Sequence, residues 1–223
     1  MIKFIFMKTY ITFSLAFLSC TMNVSAQKRF NQVLADSLNS WVVVDQIAAK
    51  SPEGKYKLMS REQLEGFQDS VFTTHQVLLS KVFEKYGYPG YDMVGKKASN
   101  HFWLMVQHCD KRPKFQQKVL KAMKKEVDRG NADPKNFAYL TDRVRLNTLQ
   151  KQLYGTQVTY KTDSCQAIPK PLIDSLTVNE RRRLVGLPPI EVYLNQMSEL
   201  HFMMNKATYE KKGILQPKLL KLP

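Results

Sequence analysis

Acidic side chains are scarce in this chain. It carries 19 Asp and Glu against 34 Lys and Arg in 223 residues, a formal net charge of +15 with a pI of about 9.7. Cysteine is scarcer still, with three in all, too few for a small disulfide-built scaffold. The four histidines, His75, His101, His108 and His201, leave no closely spaced ligand set. His101 and His108 share a helical face, but seven residues put them about 10 Å apart, too far for one ion held by a single helix. No metal and no cofactor is therefore expected. No Gly/Ser-rich or Gln-rich tract and no repeat of fixed period occurs, which excludes a flexible-linker or solenoid build. What is there, 43% hydrophobic and 24% charged, suits one globular domain with extensions.

The long apolar run stands near the N-terminus. In "MIKFIFMKTYITFSLAFLSCTMNVSAQ", Lys3 and Lys8 precede an apolar stretch from about Tyr10 to Leu18 and a small-residue site, Val24-Ser25-Ala26. That order predicts a secretory signal over 1–26 cut after Ala26, with Met7 as an alternative start. The stretch is short for a transmembrane span. An uncut anchor and a lipidated Cys20 are the alternatives, and Phe17-Leu18-Ser19 fits a lipoprotein signal poorly. The expected location is then periplasmic or extracellular. There, Cys109 and Cys165 could form a disulfide closing a loop of 56 residues, which the chain-entropy model values at about 4 kcal/mol. Two separate buried thiols are the alternative.

The expected fold is mainly α: a single helical domain of six to seven helices with one small hairpin or strand element after the fifth. Residues 27–92 form an N-terminal helical region, 93–197 a core and 198–223 a C-terminal extension. A first helix spans 29–50, with Leu34, Leu38, Trp41, Val42 and Ile47 on a broad face, and Pro52 and Gly54 break it. "SREQ" (60–63) is a capping box for a second helix that ends at Gly87. A third runs from near Val94 to Cys109. Pro113 opens a fourth, apolar at Phe115, Val119, Met123 and Val127 and basic at Lys114, Lys118, Lys121 and Lys125. Asp133 caps a fifth, which ends near Gln150. "QLYGTQVTYK" reads as strand or hairpin. "TVNE" (177–180) is a second capping box, Pro188-Pro189 opens the last helix, and the tail "GILQPKLLKLP" is expected to be loose.

Three polar clusters carry any chemistry: "QHCD" (Gln107, His108, Cys109, Asp110), the pair Asp142 and Arg143 inside an apolar helix, and Gln152, Tyr154, Thr156 and Gln157 around Gly155. Residues two apart on a helix point about 200° apart, so His108 and Asp110 converge only if the helix ends between them. A carboxylate beside the imidazole would fix its tautomer, as a base requires. Arg143 is the natural fork for a carboxylate, from Asp110 or from a ligand. A buried Arg–Asp bridge tying two helices is the alternative, because unpaired buried charge is costly.

Together "GYDMVGKKASNHFWLMVQHCDKRPKFQQKVL", "AYLTDRVRLN", "KQLYGTQ" and "ERRRLVGLPPIEVYL" resemble an uncharacterised bacterial family, the domain-of-unknown-function family six-six-two-four. The resemblance covers about residues 86–195 in consistent order, on the pattern QHxD, YLxDRV, YGTQ. It implies a largely helical domain whose polar signature is Gln107, His108, Asp110, Asp142, Arg143, Gln152, Tyr154, Gly155, Thr156 and Gln157. It implies no activity. Cys109 stands where the family pattern has alanine, so a bridge to Cys165 would be private to this chain. Arg112 stands where an Asp often precedes the proline, which draws Asp110 toward capping.

Three functions fit these parts. One is a pocket for a small anionic or peptide-like ligand, contacted by Gln107, Asp142, Gln152, Tyr154, Thr156 and Gln157. One is a hydrolase or acyl-transfer enzyme with His108 as base, Asp110 as its orienter and Arg143 as anion clamp. One is a non-enzymatic envelope module with a buried polar network. Export and the lack of interleaved aromatics argue against a nucleic-acid partner. The lysine stripe reads as a solvated face, or as peripheral contact with an anionic envelope surface, which salt would weaken. The sequence carries no sign of oligomeric state.

Overall fold

The computed structural model describes residues 30–50 and 52–222; the expected leader with Cys20 and Ala26 falls outside them. Among the described residues the chain is mainly α, with eight α-helices and one two-stranded antiparallel sheet. The helices are α1 (Gln32–Ala49), α2 (Arg61–Tyr86), α3 (Tyr91–Gln107), α4 (Pro113–Asp128), α5 (Pro134–Asn147), α6 (Val178–Leu184), α7 (Ile190–Met204) and α8 (Lys206–Glu210). Strands β1 (Val158–Tyr160) and β2 (Ala167–Pro169) follow α5, in the register Thr159 opposite Ile168. No helix of the described residues is long and apolar enough to cross a membrane.

Local chemistry sets the helix ends. Asn31 accepts the Leu34 amide at 3.0 Å, and its own N–H reaches the Met93 carbonyl at 2.7 Å, so the start of α1 is tied to α3. Ser60 and Gln63 close the expected capping box on α2. Pro113 stands in the first turn of α4, and Asp133 caps α5 through the Lys135 amide.

Four readings change. The third helix begins at Tyr91, and its first turn breaks at Gly95, whose φ of 76° only glycine adopts freely. The fifth helix stops at Asn147. Thr177 makes no capping bond to the backbone; its hydroxyl donates to Asp174 and accepts from Arg181. The tail is docked: Asn195 bonds both the N–H and the carbonyl of Leu220, and the Lys218 N–H reaches Ser164. The sequence shows a polar, proline-broken tail but not the partner that satisfies its backbone.

The core centres on α3. Phe102, Met105 and Val106 are fully buried among Leu34, Leu38 and Val42 of α1, Leu79 of α2, Val119 and Met123 of α4, and Leu140 of α5. Each such side chain contributes about 1.5–3 kcal/mol. Helix α1 thus shares one core with the residues after 93. A second cluster joins β2, α6 and α7 through Ala167, Val178, Ile190 and Leu194.

Candidate functional site

Helix α3 ends at Gln107, and His108 is its C-cap. The chain turns there before Pro113 starts α4, which lets His108 and Asp110 face one cavity of about 390 Å³ between that turn and α2. The cavity is lined by Asp69, Phe72, Thr73 and Gln76 of α2, by residues 108–112, and by Arg143 of α5. His108, Asp110 and Arg143 therefore line one cavity.

The orienter of His108 is a different acid. Its Nδ1 lies 2.9 Å from Oδ2 of Asp45, a fully buried residue of α1. His75 of α2 approaches the same carboxylate, Nδ1 to Oδ1 at 3.4 Å. Burial alone would raise the Asp45 carboxyl, but hydrogen bonds from His108 and His75 outweigh it and hold it below its ordinary value. An ionised carboxylate only accepts, so the proton of the His108–Asp45 bond sits on Nδ1. Where the imidazole carries that proton alone, Nε2 keeps its lone pair. Phe72 stacks on the ring, centroids 4.7 Å apart, and only 17% of the His108 side chain is exposed.

Asp110 is held instead by α5 and α4. Arg143 grips it with two bonds, Nε–Oδ1 at 2.8 Å and Nη2–Oδ2 at 2.7 Å, and Asn147 and Gln116 add one bond each. Burial raises this carboxyl, but the Arg143 guanidinium, helped by Asn147 and Gln116, lowers it by more, so the net direction is down. Asp110 therefore neither orients His108 nor caps α4; its oxygens are taken by side chains. Lys111 pairs with Asp69 at the cavity rim.

Cys109 is part of this wall but almost wholly buried. Burial, with the nearby charges of Asp45 and Asp110, pushes its thiol up to about 12, which disfavours the thiolate that a nucleophile needs. Cys109 and Cys165 are both free. Of the two readings the sequence left open, a bridge or two separate buried thiols, the structure has the second: one thiol packs in the α3 core and the other in a separate cluster with Phe202 and Tyr209.

The remaining signature residues are assembled elsewhere. Asp142, fully buried, accepts the amides of Leu153, Tyr154 and Thr156 and the Thr156 hydroxyl at 2.7–3.0 Å. Gln152 holds the same loop from inside, donating to the carbonyls of Gln157 and Lys170 and accepting the Gln157 amide. Gly155 has φ of 69°, and a Cβ there would meet Ile190 at 2.6 Å. Tyr154 gives its carbonyl to Arg182, and burial raises its own hydroxyl. Gln107 is buried in the last turn of α3. None of Gln107, Asp142, Gln152, Tyr154, Thr156 and Gln157 lines the cavity; Asp142 and Arg143 are neighbours in sequence but point to different sides of α5.

Residues 72–205, more than half the chain, match the family of unknown function DUF6624. The chain belongs to that family. No curated protein and no solved structure matches it. The DUF6624 region contains Phe72, His75, His108, Asp110 and Arg143, whereas Asp45 on α1 lies before it. Asp45 and His75 were missed in the sequence, although a signal was there. Asp45 continues the buried stripe of Leu34, Leu38 and Val42, and His75 lies one turn from both Val71 and Leu79. An acid and a histidine on two apolar stripes of neighbouring helices must find each other or water.

Proposed function

We propose that the cavity binds a small anionic or peptide-like molecule, with His108 Nε2 as the basic group that meets it. One observation carries this reading: His108, held through Nδ1 by a buried carboxylate, shares a cavity wall with Arg112 and Arg143. The wall mixes cations, acceptors and the Phe72 ring, as a short peptide or carboxylate ligand needs. The expected site of action is the cell envelope or beyond, on the strength of residues 1–26 alone.

The Asp45–His108 pair also favours a second reading, hydrolysis with His108 as general base. The base would act on water: Cys109 is a buried thiol, and Thr73 is the only hydroxyl among the lining residues. The test is a thermal-shift screen of short peptides and small carboxylates on the protein and on His108→Ala, followed by a hydrolysis assay of the peptides. A ligand that binds the native state raises the melting temperature. A rise lost in His108→Ala supports the cavity reading. An equal rise in both proteins, or no rise with either class, ends it. Turnover that His108→Ala abolishes moves the assignment to the hydrolase.

A further inference from the structure

The cavity does not end at Arg112. A groove of about 680 Å³ continues from it and shares Gln76, Lys111 and Arg112 with it. One wall is a single face of α2: Gln76, Ser80, Phe83 and Glu84. The other is the first part of α4, with Lys114, Phe115 and Lys118. From Gln76 to Glu84 the α2 wall is about 12 Å long, the reach of three or four extended residues. Phe83 and Phe115 pack edge to face at 6.1 Å and join the two walls.

The charge of the groove is one-sided. In the cavity, Asp110 occupies Arg143 and Asp69 occupies Lys111. Among the described residues no ion pair engages Arg112, Lys114 or Lys118. All three are exposed, and the groove's one carboxylate, Glu84, lies on the α2 wall. The cations are also spread out. Lys114 and Lys118 stand one turn apart, about 6 Å along the axis, rather than converging on one point as a clamp for a single phosphate does. Same-side side chains of an extended peptide repeat every 6.6–6.8 Å or so, close to that spacing.

We propose that the ligand of the His108 site is an acidic peptide bound in extended form. One end enters the cavity beside His108, and acidic side chains at alternate positions face Arg112, Lys114 and Lys118. This inference rests on the cavity reading and adds the ligand's length and charge. Glu84 opposite disfavours acid on the other side of the peptide, so one acidic edge is preferred over uniform acidity.

The test uses fluorescein-labelled Ala-Glu-Ala-Glu and Ala-Gln-Ala-Gln peptides, read by fluorescence polarisation on the full chain at low and physiological salt. The acidic peptide is expected to bind at least about tenfold tighter, with the preference shrinking as salt rises. The double variant Lys114→Gln/Lys118→Gln, changed only at exposed side chains, should lose that preference. Equal affinity for both peptides in the unaltered protein overturns the inference, as does a preference that survives the double variant. So does competition by inorganic phosphate alone at equal charge concentration. If short ligands still need His108 while the double variant changes nothing, the groove inference fails and the cavity reading stands. If His108→Ala changes the binding of no ligand, the cavity reading fails with it.

Discussion

Asp45 and Asp142 are both fully buried carboxylates on helices, and they are satisfied in different ways. Asp142 accepts three backbone amides and a hydroxyl from one loop, all within 14 residues of it. Asp45 accepts from two imidazoles on other elements, 30 and 63 residues away, and one of them lines a cavity. The first arrangement closes on itself and fixes a loop against α7. The second transmits order outward, because the imidazole that the buried carboxylate fixes also lines the cavity. A polar cluster that ends in backbone amides is architecture. One that ends in a side chain at a cavity wall is available for chemistry.

The contrast can be broken by substitution. Asp142→Asn should be the most damaging change, since an amide nitrogen would face the N–H groups now bonded to carboxylate. Hydrogen bonds to charged groups contribute about 1.5–3 kcal/mol each, so a loss of about 3 kcal/mol or more is expected in chemical denaturation. A loss under about 1 kcal/mol would mean that the loop holds without it. Gly155→Ala should follow at about 1–3 kcal/mol, from the positive φ and the Ile190 contact.

Asp45→Asn keeps the shape of its site and should cost less stability than Asp142→Asn. Its larger effect should fall on ligand binding, which weakens about tenfold once His108 loses its orienter. A variant that melts early but binds normally would make Asp45 a core residue like Asp142. Acid should act on both Asp45 and Asp110. Their carboxyls sit below the unfolded value, so they stabilise the fold above the unfolded pKa of about 4, and that contribution is lost as pH falls through the folded values. Calorimetry from pH 7 to pH 3 should give a steady melting temperature at first and a fall below about pH 4, blunted in Asp110→Asn. The smallest effect is for reductant: with both thiols free, dithiothreitol should leave the melting temperature unchanged.

The sequence made α1 to α7, most of their ends and the presence of one small β element legible, though not α8, because capping residues, prolines and apolar spacing act over a few neighbours. It also marked His108, Asp110 and Arg143, which do share a cavity. It merged them with the Asp142 loop because all are polar residues near or within apolar helices, and spacing alone does not tell which way a side chain leaves its helix in the folded chain. Neither did it name Asp45. An acid on an apolar stripe shows that a partner must exist but not which one.

The sequence by itself determined the helical class, the helix borders at Ser60, Pro113 and Asp133, the basic charge and the three polar clusters, all of which rest on local propensity or composition. Only the tertiary structure decided that Asp45 rather than Asp110 holds His108, that Asp142 fastens a loop, that the tail docks on Asn195 and that the two thiols stay apart. Each of those turns on side chains brought together by the shared core, across separations that no local pattern records.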